Sequence, residues 1–245
     1  MEKQQTNGKI KIVALGDIHV GDTMHGAYSE LFQQISQDAD LFLLCGDLTQ
    51  HGRADEARVL AEEFKTLTIP KLAVLGNHDF ESNESEEIKK VLKDVGVIFL
   101  DEEFFELGAI GFTGVKGFGG GFGPYMLSYF GEPEIKAFVQ AAIDETQQLE
   151  IGLGKLSHKE KKVVIMHYAP IYQTLIGEDT AIYPFLGATR FEEVIDRFGA
   201  NLVFHGHAHY GTPHGKTAKG TDVYNVAFPL MQKLHGKKPY KVIEL

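Results

Sequence analysis

The chain has 245 residues, 43% of them apolar and 24% charged, with a formal net charge of −10. That length suits one domain over residues 1–245 with a core that needs no staples, and its single cysteine, Cys45, excludes an intrachain disulfide. The acidic balance and the lack of a Lys/Arg block argue against an electrostatic grip on nucleic acid or an anionic membrane; no run approaches transmembrane length, and the opening stretch has no apolar segment long enough for a secretory signal, so the expected location is cytoplasmic.

In chain order, the first element is the apolar run KIKIVALGD, closing at Asp17. YSELFQQISQ then reads as a short helix. LFLLCGD closes at Asp47, and RADEARVLAEEFKTL carries apolar residues at 57, 60, 61 and 64 on one helical face. KLAVLGN closes at Asn77. NESEEIKKVLKDVG starts with Asn, Ser and Glu as capping residues and stops at Gly96. Short apolar runs bounded by Gly and polar residues are predicted as buried strands. Strand and helix therefore alternate through this part, which implies a mostly parallel sheet covered by helices.

The pattern changes at VIFLDEEFFELGAIGFTGV, which reads as consecutive strands with a turn near Gly108. Residues 133–149 predict another helix. KKVVIMH closes a strand at His167, TRFEEVIDRFG is helical, and NLVFHGH closes a strand at His207. TDVYNVAFPL and YKVIEL return to strands. Two stacked sheets with helices outside fit this order.

Taken singly, an Asp or Asn after Gly is a turn residue, and a lone His at a strand end is a hydrogen-bonded histidine. Together they point elsewhere. In α/β sheets the C-terminal strand ends converge on one rim, where sites are built. That rim would gather Asp17, His19, Asp47, Asn77, His78, His167, His207 and His209. All are oxygen or imidazole donors without a thiolate, too many for one ion. They suit two divalent ions of moderate hardness, Mn, Fe or Zn, rather than a structural zinc. Asp17 and His19 are two apart, so an extended backbone would point both the same way, and His207 and His209 repeat that spacing beside Gly206. His205 shares their parity but lies deeper in the strand, as a packing or supporting residue.

The blocks GDIH, GDL, GNHD, the single His of VVIMHYAP and GHAH resemble the five motifs of the calcineurin-like metallophosphoesterases, in the family's order and over residues 16–209. The resemblance implies a four-layer αββα sandwich, two mixed β-sheets flanked by helices. It implies that Asp17, His19 and His209 hold one metal, that Asn77, His167 and His207 hold the other, and that Asp47 bridges them. His78 follows a metal ligand, so its side chain is expected to point toward the substrate, where the family uses it on the leaving group or the phosphate. Asp79 is expected either to hydrogen-bond His78 and fix its tautomer or to serve as a turn residue.

The implied activity is hydrolysis of a phosphomonoester or phosphodiester on a small-molecule substrate, by in-line attack of a metal-activated hydroxide. The rivals are a nuclease or nucleotide pyrophosphatase of the same fold, and a non-catalytic metal-binding scaffold. The scaffold is disfavoured because every expected ligand is present. The glycine-rich stretch 116–126 lacks the ending of a P-loop. It reads as a turn, or as a flap bringing Phe118, Phe122 or Tyr125 over the substrate. Residues 168–190 form a long irregular segment suited to shaping a binding site. His51 stands where related phosphoprotein phosphatases carry a phosphate-binding arginine; it and His25 read as loop histidines, with a phosphate contact as the alternative. His158, His214 and His235 sit among polar residues.

Overall fold

The computed structural model describes residues 9–101 and 103–245. Its first half alternates as expected: β1 (Lys11–Leu15), α1 (Ser29–Asp38), β2 (Leu41–Cys45), α2 (Ala54–Glu63), β3 (Lys71–Val74), α3 (Ser85–Lys93) and β4 (Val97–Phe99). Then come β5 (Phe105–Leu107), β6 (Ile110–Val115), α4 (Pro133–Lys155), β7 (Lys161–Met166), α5 (Tyr183–Leu186), α6 (Thr189–Phe198) and β8 (Leu202–His205). The chain closes with β9 (His214–Lys216), β10 (Asp222–Asn225), α7 (Phe228–His235) and β11 (Val242–Glu244).

The strands form two mixed sheets. The first runs β11-β1-β2-β3-β4, parallel except for β11; the second runs β5-β6-β7-β8-β10-β9, antiparallel only at its two edge pairs. Parallel strands covered on both faces need apolar residues on both, and β2 shows why. Its Phe42 and Leu44 pack under the helices of the first sheet, while Leu41, Leu43 and Cys45 face the second sheet. Between the sheets Ile12, Leu43 and Leu72 meet Phe112, Ile165 and Phe204. Helices α1, α2, α3 and α7 cover the outer face of the first sheet, and α4 and α6 that of the second. The result is the expected αββα layering. No helix among the described residues is long and apolar enough to cross a membrane.

Several details differ from expectation. β4 pairs with β3 in the first sheet, and the chain then crosses to the second, where β5 and β6 form the hairpin turning at Gly108. The helix expected over 133–149 continues to Lys155. α7 begins where a strand was expected to continue. Glu84, at the start of α3, makes no cap there; its carboxylate accepts the Ala54 N–H at 2.8 Å and so serves the first turn of α2.

Candidate metal centre

The loops after β1, β2, β3, β7 and β8 meet at one rim, stitched by backbone hydrogen bonds. Asp17 N–H donates to Gly46 O (2.9 Å), His19 N–H to Asp47 O (3.0 Å), and Gly206 N–H to His167 O (3.2 Å). The approach is close enough to require glycine. A Cβ on Gly46, whose φ is +82°, would lie 2.6 Å from Nδ1 of His167, and one on Gly206 would lie 2.3 Å from Asp17 Oδ2.

Only five non-glycine residues among those described have positive φ, and four belong to the expected set: Asp17 (57°), His19 (44°), Asp47 (49°) and His207 (69°). Left-handed backbone at such residues is strained, and strain held by surrounding structure concentrates at functional sites. It also corrects the argument from spacing. Asp17 and His19 do not share a face through extended backbone; tight left-handed turns bring them together.

Donor atoms of Asp17, His19 and His209 lie within 4.8 Å of one another, as do those of Asp47, His167 and His207, and those of His19, Asp47 and His78. Asp47 stands in the middle. Its Oδ2 is 3.7 Å from His19 Nε2, while Oδ1 is 3.3 Å from His167 Nε2, so one oxygen faces each side. Asn77 turns its Oδ1 to within 2.8 Å of the same His167 Nε2.

The proton count at His167 tests whether cations fit. Its Nδ1 lies 2.9 Å from Cys45 O, and its Nε2 faces Asn77 and Asp47 oxygens. Burial holds its pKa well below the ordinary value, so the ring is neutral and carries one proton. With that proton donated from Nδ1 to Cys45 O, Nε2 presents a lone pair toward the Asn77 and Asp47 side chains. A cation at Nε2 would take up that lone pair, with the Nδ1 proton still donated to Cys45 O. Nδ1 of His19 is likewise buried without a partner. Burial lowers the His207 pKa to about 3 and that of His19 to about 4, the neutral state in which imidazole ligates. Burial, then the charges of Asp17 and Asp79, push Asp47 up to about 9, a repulsion that bound cations would offset. His209 is raised by its 2.9 Å hydrogen bond with Asp17.

A family model described as calcineurin-like phosphoesterase matches residues 10–211. The chain belongs to the calcineurin-like phosphoesterase family. It is 38% identical over 79 residues to a probable cyclic nucleotide phosphodiesterase of Moraxella catarrhalis (strain BBH18); the alignment spans 30% of this chain and 28% of that protein. Its fold resembles that of the phosphopantetheinyl hydrolase PptH of Mycobacterium tuberculosis (TM-score 0.68, 15% identity, 95% of both chains). It also resembles TT1561 of Thermus thermophilus (TM-score 0.59, 18% identity, 96% of this chain and 98% of that one).

Within this calcineurin-like phosphoesterase rim, the other expected residues fall as follows. His78 is half-buried at the edge; its backbone N–H donates to Asp47 Oδ1 (2.9 Å) and its Nδ1 lies 2.8 Å from Gln50 O. Of the two roles expected for Asp79, a bond to His78 or a turn residue, the first is not among its hydrogen bonds. Asp79 is fully buried and its carboxylate accepts from Gly76 N–H, Thr49 N–H, Leu48 N–H and the Thr49 hydroxyl at 2.6–3.2 Å. It therefore ties the loop after β2 to the loop after β3, and Gln50 is the group that orients His78. Sequence reasoning missed Gln50 because a carbonyl partner leaves no mark on side-chain type.

His205 is buried with Nε2 on the Thr174 hydroxyl (2.8 Å) and Nδ1 on Gly206 O (2.7 Å), away from the three donor groups. The glycine-rich loop is pinned rather than free: Gly120 N–H donates to Pro184 O and Gly121 N–H to Gly187 O. Of its aromatics, Phe118 packs on Phe138 and Tyr168, Phe122 packs on the Leu175–Leu186 cluster, and Tyr125 is exposed. The loop props residues 184–187, and the Phe185 carbonyl reaches 3.3 Å from His207 Nε2. His51 is exposed and faces Glu81 at 3.7 Å. His25 and His158 pair with Glu62 and Glu106 on the surface.

Proposed function

We propose that the chain is a hydrolase of phosphoric esters with a two-ion centre. Asp17, His19 and His209 would hold one ion, Asn77, His167 and His207 the other, and Asp47 would serve both. The observation that carries this reading is Asp47, whose two oxygens face opposite donor groups across a cluster of imidazoles. Mn, Fe and Zn all suit that donor chemistry. When bound, such ions activate a water for in-line attack at phosphorus and offset the charge that grows on the phosphoryl oxygens.

The chain's own residues do the rest. The Gln50 carbonyl keeps the Nδ1 proton of His78 in place, which leaves Nε2 free to carry a proton toward the leaving oxygen. Glu81 Oε2 lies 3.9 Å from the same Nδ1. Asp79 fixes the two loops that carry Asp47 and Asn77, and Phe185 restrains His207. A phosphodiester is the ester class we place first, because the stretch shared with a probable cyclic nucleotide phosphodiesterase supports it. A cytoplasmic site of action belongs to the same reading.

Turnover of p-nitrophenyl phosphate, bis-p-nitrophenyl phosphate and cyclic AMP with added Mn²⁺ tests it. Hydrolysis of at least the diesters, lost on chelation and regained with Mn²⁺, is expected. Full activity after exhaustive chelation contradicts the reading, as does failure to turn over any ester with metal bound.

A further inference from the structure

A second cavity, of about 350 Å³, opens where α7, β11 and the β9–β10 edge meet. No residue of the candidate metal centre lines it. It has the size of a small-molecule site and the usual composition, mostly apolar with a few polar groups. Phe204 and Tyr224 stack to form one wall (5.7 Å, 25°), and Met231 and Ile243 supply others.

The polar groups are one-sided. Lys241, His214 and His235 line the cavity, and no carboxylate does, in a chain whose acidic side chains outnumber Lys and Arg by 34 to 24. Lys241 Nζ lies 4.8 Å over the Tyr224 ring, at the junction of apolar wall and solvent. His214 packs on the same ring at 4.8 Å, and its Nε2 lies 2.8 Å from Asp222 Oδ1. Lys241 is thus the cation placed to meet a ligand.

We propose that this cavity binds a small amphiphilic anion, with one anionic head at Lys241 and a body of aromatic or branched aliphatic carbon between Tyr224, Met231 and Ile243. The cavity volume suits a body of a single ring with a short chain. The cavity backs onto the metal-centre loops. Val226 O accepts from Gly16 N–H (3.0 Å), and Asn225 Nδ2 donates to Ala208 O (2.7 Å). Binding here does not depend on the hydrolase reading.

The test is titration calorimetry on the full chain with 4-phenylbutyrate and its neutral analogue 4-phenylbutan-1-ol, with and without chelator. One saturable site per chain is expected for the acid, with a dissociation constant of about 1 mM for a ligand of this size. It should be unchanged by chelation. Lys241→Gln, at an exposed position, should weaken the acid about tenfold and leave the alcohol unchanged. Leu234→Trp, filling the mouth, should abolish binding of both, with far-UV circular dichroism and the thermal midpoint checked on the same sample. Absence of saturable binding overturns the proposal, as does equal affinity of the acid for K241Q and the parent chain. Loss of binding on chelation also overturns it, because the carboxylate would then be at the metal centre. Should L234W fail to fold, K241Q carries the test alone.

Discussion

His78 is the residue whose role is most sharply divided between two chemistries. A general acid contributes about 10²–10⁴ in rate when the leaving oxygen needs a proton, and far less when it departs as a stable anion. His78→Ala should therefore slow alkyl esters much more than p-nitrophenyl esters, with both ions retained. Equal losses across a series of leaving-group pKa values would instead assign His78 to electrostatic binding of the phosphoryl oxygens. Metal content has to be measured on the same samples, since His78 also lies within reach of His19 and Asp47. Asp79 acts through the loops instead. Asp79→Ala would strand three buried backbone N–H groups, from Gly76, Leu48 and Thr49, and should destabilise the protein by about 3 kcal/mol or more in urea unfolding. A loss within a few tenths of a kcal/mol would remove it from this structural role. The seven candidate ligands and His78 were legible as residues at strand ends. The duties of Asp79 and Gln50 were not, because both depend on which loops touch, and Asp79 meets donors about thirty positions earlier in the chain.

Among the elements, α1 carries an acidic residue, Asp38, in its last turn, where the helix dipole disfavours negative charge. The reason lies at the other end of the chain. Asp38 Oδ2 accepts from Lys238 Nζ (2.9 Å) and the Tyr240 hydroxyl (2.8 Å), clipping the segment before β11 to the first helix. The Lys238 hydrogen bond, then that of Tyr240, hold the Asp38 carboxyl below its usual 3.8. A carboxyl depressed in the fold contributes stability above its unfolded pKa and loses it as pH falls through the folded value. Asp38→Asn should thus be destabilising by about 0.5–1 kcal/mol near pH 7, discounted for exposure. Urea melts across pH should show that gap closing below 3.8, and a constant gap would reject the clip. The strand–helix alternation through β3 followed from periodicity, as did both sheets. α7 escaped because Val226 and Ala227 continue the apolar run of β10, and Pro229 looks like a breaker although proline is tolerated in a first turn. α4 seemed to stop early because Gly152 and Gly154 sit near its end. Packing selected the first of these: a Cβ on Gly152 would lie 2.0 Å from the Thr113 hydroxyl.

At the scale of the whole molecule, two sheets with separate helical covers converge on one rim, and Asp47 is where they meet: His19 comes from the first sheet, His167 from the second. In a chain of this acidic balance, cations bound at that rim would supply the local positive charge for an anionic substrate. Removing a ligand that two ions would share should therefore do more than removing a terminal one. Asp47→Ala should weaken both ion sites, whereas His19→Ala should chiefly weaken one. Unchanged affinity for both ions in Asp47→Ala would show that Asp47 is not shared. Each of these outcomes depends on the number of ions held, which is measured most directly by elemental analysis of the purified, Mn²⁺-replete chain. Two ions per chain are expected; one ion or none under those conditions would contradict a centre built around Asp47.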